Sequence, residues 1–452
     1  MIGRGVYDSL YDIGDAYSDK FTQQEKDKRK FEYKLREIYT DLAIPPFSLR
    51  LGRQQVTWGE TDNFRALDVI NPLDLRWHWS REAWEDVRIP LWMARAIYDI
   101  GKVGPLEESF VEAVWVPWDF QRNKLTTDPR RPWAFIGQGL RKRANSVVIN
   151  PHQPENQLFD LKTTVLDRKP DRALESSQAG MRFKGIWRGI DFSLNYYYTF
   201  SADTGVKVRG FSRSDVPTTS GTVGTFSSVI NTVNPRSHVV GVAANYSEEH
   251  YTQTVFRVEA AITTGVPVRL KSGLPERFDP DHNSFATVRR SVVMLAFDRP
   301  TWIRPLNRIR TFFITSQFFW RRYLDYNRFF RGASSVRHAI INGQVVPGYY
   351  ISAPTDKLNE DEFVWTIAAS TSYGPGGLWQ PLVVFAFDPV STGAYNRISV
   401  DYLFSNHIIF RLTQDFYWRI HSHDPGPWSI GDRFGRPGDS RQETVFSVIF
   451  QF

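Results

Sequence analysis

The densest set of residues able to do chemistry lies between Leu49 and Trp118. It holds Arg50, Arg53, Glu60, Asp62, Arg65, Asp68, Asp74, Glu85, Asp86, Arg88 and Arg95, interleaved with Trp58, Trp92 and Trp115. A planar guanidinium grips a carboxylate through two parallel hydrogen bonds, so such a set can lock a loop to a wall. The same groups along a water-filled passage would sort solutes by charge. Asn71-Pro72 reads as a turn, with Asp68 or Asp74 placed for local capping. Far along the chain, Arg411 and Asp415 extend the possible charge ladder begun by Arg53, Arg88 and Arg95.

Catalysis fits the chain poorly. There is no Cys, which excludes thiol nucleophiles, disulfides and thiolate metal sites. No Gly-x-Ser-x-Gly occurs, and no Ser–His pair can be brought together from the sequence. The acid pairs Glu85-Asp86, Glu107-Glu108 and Glu248-Glu249 are adjacent, so on strands they would point to opposite faces and could not share a substrate. His421-Ser422-His423-Asp424 and Asp279–Asn283 contain metal-ligand atoms without the spacing of a known site, and they read as solvated loops. No catalytic residue, metal or cofactor is expected. A hydrolase is the least favoured of three functional readings.

The elements that must position these charges follow a period of two. In 191–200, Phe192, Leu194, Tyr196, Tyr198 and Phe200 alternate with Asp191, Ser193, Asn195 and Thr199. The same pattern runs through 397–404 and 408–419. Strands of about ten residues with aromatics at the ends of their apolar rows suit a tilted membrane strand. The composition agrees: 33 Phe, 19 Tyr and 15 Trp in 452 residues, with only 41% apolar residues and a net charge of +7. An average that mild argues against a bundle of membrane helices, while a barrel wall, half facing lipid and half facing water, never looks apolar overall. A Lys-rich tail or basic helix is absent, so no nucleic-acid partner is expected.

Fifteen such segments are expected, at 31–44, 47–58, 88–99, 106–118, 178–187, 191–201, 237–247, 251–263, 287–298, 307–323, 361–373, 378–388, 394–404, 407–419 and 441–452. Short connections alternate with mostly long ones, the asymmetry of an outer-membrane barrel. Bacterial single-chain barrels have an even count, so sixteen strands are expected in the complete protein, with one strand and a targeting segment lying before this sequence. Residues 1–30 would then be the first outer loop or the remnant of a truncated N-terminus. Residues 31–452 would form the barrel, with 59–87 folded inward to narrow the lumen and 119–177 a long outer loop. A flip of apolar parity near Gly52 suggests a bulge there. The run Trp320–Arg331 reads as an aromatic girdle at a strand's outer end. Phe446, Val448, Phe450 and Phe452 form an alternating row that resembles the signal read by the barrel insertion machinery.

The stretch Leu49-Arg50-Leu51-Gly52-Arg53-Gln54-Gln55-Val56-Thr57-Trp58-Gly59-Glu60, followed by Asn71-Pro72-Leu73-Asp74, Asp86-Val87-Arg88-Ile89-Pro90-Leu91-Trp92 and Trp115-Val116-Pro117, resembles a family of Gram-negative outer-membrane β-barrels of unknown function. The resemblance is close over 31–120 and looser beyond. It implies a porin-like, integral outer-membrane protein in contact with lipid and lipopolysaccharide, with an RND-type exporter system as a partner. It also implies passage of small hydrophobic or amphipathic molecules. A non-conducting barrel that scaffolds an envelope transport assembly is the alternative.

Overall fold

The structure, a computed structural model, describes the chain apart from residues 10–11, 13–21, 63, 77–83, 125–146, 150–157, 219–220, 271–284, 332–335, 342–343, 353–356, 391–392, 420–441 and 451–452. Trp77, Trp79, His421, His423, the 279–283 segment and Phe452 therefore lie outside the described residues. It is built on one continuous antiparallel sheet. Its strands are β1 (Ile2–Tyr7), β2 (Phe31–Ile44), β3 (Phe47–Gln54), β4 (Leu91–Asp99), β5 (Leu106–Val116), β6 (Gln178–Trp187), β7 (Ile190–Phe200) and β8 (Arg236–Glu248). They continue with β9 (Thr254–Leu270), β10 (Phe285–Thr301), β11 (Phe312–Tyr323), β12 (Asp361–Ser370), β13 (Trp379–Asp388), β14 (Gly393–Ser405), β15 (Ile408–Arg419) and β16 (Glu443–Phe450). Each strand pairs antiparallel with the next, and a two-residue strand, Phe330–Arg331, adds to β9. Among the described residues no ladder joins β1 to β16. No described helix is long and apolar enough to cross a membrane.

All fifteen expected segments are strands, most with ends shifted by only a few residues. The strand that an even count demands ahead of β2 occurs within residues 1–30, where a loop was expected. Ile2–Tyr7 pairs with Phe31–Glu37, and helix α1 (Gln23–Lys30) precedes β2. The expected outer loops also carry strands of their own. Residues 147–149, 158–168, 205–218 and 221–233 form a separate four-stranded sheet, and 336–341 pairs with 344–352. A register shift between Val208 and Gly210 resets the parity there, so no single period runs through that segment.

The alternation sorts side chains with the polar row on the protected side. On β7, Leu194 and Tyr196 are 52% and 42% exposed, while Ser193 and Asn195 are only 5% and 6% exposed. Apolar residues are likewise exposed at Val240 and Val242 on β8, Leu412 on β15, and Phe446, Val448 and Phe450 on β16. A water-soluble sandwich hides its apolar rows. Here they face out.

What covers the polar row is the segment between β3 and β4. It meets Tyr197 of β7, Gly241 of β8, Glu259 of β9, and Gln317 and Phe319 of β11. Laid flat at ~4.8 Å per strand, β3 and β11 would stand roughly 38 Å apart. Asp62, eight residues beyond β3, could not span that distance, so the sheet must curl around the segment. Mixed alternation in β10 and β11 has the same cause. Their inner residues Met294 and Phe319 are apolar because Phe64 packs there.

Gly52 is not a bulge. The β2–β3 and β3–β4 registers run through it unbroken. The irregularity instead lies in the β1–β2 register between Ile2 and Gly3, which skips Arg36. Val56 and Trp58 break the apolar parity because the chain has already left the sheet at Gln54. Gly52 is still required, because it holds φ 140° and a Cβ there would lie 2.3 Å from the Ile38 carbonyl oxygen.

Gly241 allows Leu67 to reach the wall, since a Cβ at that position would come 2.3 Å from Leu67 Cδ2 and 2.5 Å from the Ala260 carbonyl oxygen. Gly241→Val should therefore overpack this contact and destabilise the fold by about 1–3 kcal/mol. The expected result is a lower urea midpoint, with a smaller loss for Gly241→Ala.

Candidate functional site

The β3–β4 segment is buried among strands, so its backbone must find partners inside the protein. Asn71, fully buried, supplies several. Its Oδ1 accepts from Val56 N (2.8 Å), and its Nδ2 donates to the carbonyls of Ile89 (2.9 Å) and Gln54 (3.4 Å). One side chain thus ties both ends of the segment together. Asp68 pairs with Arg88 at 2.8 Å and with Arg65 at 3.6 Å, and Arg65 also donates to the Asn71 carbonyl at 2.7 Å.

The opposite wall holds the far end. The fully buried carboxylate of Glu259 accepts from the backbone N–H of Glu60 and from that of Leu67 (3.2 Å). Arg257 donates to the Glu60 carbonyl and pairs with Asp62 (2.8 Å) and Asp298 (2.6 Å). Gln317 Nε2 donates to Asp62 at 2.6 Å. Apolar contacts fill the space between, with Trp58 edge-on to Tyr197 and Phe64 edge-on to Phe319. The segment therefore crosses the enclosed space from one wall to the other.

The short helix α2 (Trp84–Val87) is held by Arg36. Its guanidinium donates to the carbonyls of Glu85, Asp86 (2.9 Å) and Arg88 (2.7 Å). Glu85 and Asp86, expected to act through their carboxylates, engage the wall through their backbone oxygens. Asp74 is bound by Arg76 (2.6 Å) and Lys34 (3.1 Å). Burial alone would raise the Asp74 carboxyl, but the hydrogen bond and charge of Arg76, joined by Lys34, hold it well below the usual carboxylate range.

The wall arginines find partners other than the expected loop acids. Arg50 pairs with Asp41 on β2 at 2.6 Å, and Arg95 with Glu112 on β5 at 2.7 Å, where Arg182 is the second partner. Of the four arginines expected to bind loop acids, Arg88 does meet one, Asp68. Arg53 does not join the inner row. It stands opposite Trp92 and Ile38, both exposed on the outer row, and its Nε donates to the Pro90 carbonyl at 3.3 Å. Counting two residues on from Leu51, an outer residue, would have placed it there. Glu60 lies 3.8 Å from Lys184.

Arg411 and Asp415 do share the inner face. Arg397 binds Asp415 through Nε (2.8 Å) and Nη2 (3.2 Å), and Arg411 binds Asp401 at 2.7 Å through both contacts. Ser399 and Thr413 meet at 3.0 Å between the two pairs. Against this ladder, between it and the β10–β11 and β12–β13 connections, lies a cavity of about 940 Å³.

Sequence reasoning missed Asn71 as a tie, Glu259, Arg257, Gln317, Arg36 and Arg182. Glu259 did carry a signal, being an acid inside an otherwise apolar run (Val258, Ala260, Ala261, Ile262). Among the described residues no group of His, Cys, Asp and Glu could hold a metal ion.

A family model described as "protein of unknown function (DUF1302)" matches residues 1–349. No curated protein matches the sequence. The chain is similar to the crystal structure of Acinetobacter baumannii OccAB3, at 8% identity and TM-score 0.38, over 94% of this chain and 78% of that one. It is similar to A. baumannii OccAB1 at 9% identity and TM-score 0.36, over 89% and 73% of the two chains.

Asn71→Ala should leave the Val56 N–H and the Ile89 carbonyl unpaired and loosen the segment by about 2–3 kcal/mol. Faster hydrogen exchange over 55–75, with the strands still protected, is the expected readout. Asp74 has a depressed pKa when folded, so its stabilisation is complete above the unfolded value and fades as pH falls toward the folded one. The difference in urea midpoint between the wild type and Asp74→Asn should be constant near neutral pH and shrink on acidification below the ordinary carboxylate range.

Proposed function

We propose, from the premise that the chain belongs to the DUF1302 family of proteins of unknown function, that it is a porin-like β-barrel of the bacterial outer membrane. Small hydrophobic or amphipathic molecules would pass through its charge-lined interior. The observation that carries this reading is the inverted burial, with apolar residues such as Leu194, Leu412 and Phe446 exposed on the outer face. Lipid is the solvent that makes such a surface favourable, and antiparallel strands satisfy their own backbone groups within it. On the inner face the charges stand as neighbouring opposite pairs, Arg397–Asp415 and Arg411–Asp401, which would present alternating sign to a passing solute. The β3–β4 segment acts as the constriction. Glu60, Asp68 and Asp74 with Arg88 hold it in place rather than touch the solute.

A non-conducting barrel that scaffolds an envelope assembly is the second reading. The depth of the packing around Trp58, Leu67 and Phe64 favours it, because a segment interlocked with both walls blocks the interior. An exporter system as partner, and lipopolysaccharide and the insertion machinery as contacts, belong to either reading.

Conductance in planar bilayers separates the two. Small single-channel steps from the intact protein, increased severalfold by deleting 59–87, are expected of a constricted channel. Silence from both proteins, each showing heat-modifiable gel migration, would leave the scaffold.

A further inference from the structure

The cavity against the Arg397–Asp415 pair has a wall of mixed apolar and hydroxyl side chains. One hydrogen-bonded row crosses six strands in the order Phe313, Ser370, Leu382, Ser399, Thr413 and Val445. Phe313, Leu382 and Val445 are interspersed with the hydroxyl residues Ser370, Ser399 and Thr413 in this inward row, and Phe313 is 51% exposed. Ile309 and Trp302, from the β10–β11 connection, add exposed apolar surface at its edge.

Three guanidinium groups line the same cavity. Those of Arg397 and Arg411 are engaged by Asp415 and Asp401. Arg310 is different. It donates to Ser372 Oγ, and among the described residues it meets no carboxylate. It stands three residues before Phe313, beside Ser372, so cation and hydroxyl lie at the Phe313 end of the row. Phe313 and Leu382 are two ladder steps apart, about 10 Å. This is the reach of a medium-length hydrocarbon chain.

We propose that this cavity is a binding subsite for an amphipathic monocarboxylate. The carboxylate sits on the Arg310 guanidinium and the Ser372 hydroxyl, and the apolar body lies along Phe313 and Leu382. An Arg fork is suited to a planar carboxylate. Small hydrophilic anions forgo the contacts with Phe313 and Leu382, and neutral molecules of the same length forgo the charged contact with Arg310. The proposal rests on the channel reading and narrows its solute to one chemical class.

Calorimetric titration of the protein in lipid nanodiscs, with empty discs as blank, tests it using octanoate, octanol and acetate. Octanoate should bind saturably, with octanol and acetate at least tenfold weaker. Arg310→Gln should weaken octanoate about tenfold, the loss expected of one charge-assisted hydrogen-bonded contact, and leave octanol unchanged. Phe313→Ser, which keeps Arg310, should weaken octanoate and leave acetate unchanged. Octanol binding as tightly as octanoate, or both variants binding octanoate like the wild type while still showing heat-modifiable migration, would overturn the assignment. A conducting protein without saturable octanoate binding sinks the subsite alone. Octanoate binding in a protein that never conducts leaves the subsite and sinks the channel.

Discussion

Everything in this protein depends on where its strands put their two faces. A strand sends successive side chains to opposite sides, so a chain that alternates polar and apolar residues must give one side to each. Here the sheet curls until the polar side is enclosed, and enclosed charge is costly unless it is paired. Glu112 between Arg95 and Arg182, Arg321 beside Glu362, and Asp415 gripped by Arg397 and Tyr395 are the outcome. The interior is polar without being a collection of unmatched ions.

The β3–β4 segment meets the same constraint from the other direction. It brings backbone groups and apolar side chains into a space whose walls are polar. Two devices make this possible. Carboxylate and amide side chains, chiefly Glu259 and Asn71, take up its N–H and carbonyl groups. Where its apolar residues land, the wall turns apolar or loses its side chain, as at Tyr197, Phe319 and Gly241. The wall and the segment are therefore complementary, and neither is legible without the other.

The cavity on the short-turn side marks where that complementarity stops. Above it, inner apolar residues are covered by the β3–β4 segment. Within it, Phe313, Leu382 and Val445 face open space beside Arg310. One wall thus serves two purposes at two depths, since cross-strand rows a few residues apart can differ completely in chemistry.

By itself the sequence determined the strands and their outward rows. Period two over ten residues leaves one solution, and Phe446, Val448 and Phe450 or Leu194 and Tyr196 announce the outer face directly. The acids of 59–87 (Glu60, Asp62, Asp68 and Asp74), in a stretch too long for a tight turn, also marked it as leaving the sheet. Only the tertiary structure decided which charge meets which. Arg50 finds Asp41 and Arg95 finds Glu112 through register, while Glu259 reaches Glu60 and Leu67 across some two hundred positions of sequence. Arg53 falls on the outer row because Gly52 keeps the ladder unbroken, and β1 lay hidden because Ile2–Tyr7 is too short to display a period. Local repetition encodes the face a residue occupies. Its partner is set by curvature and register, which are properties of the folded sheet and of no single stretch of chain.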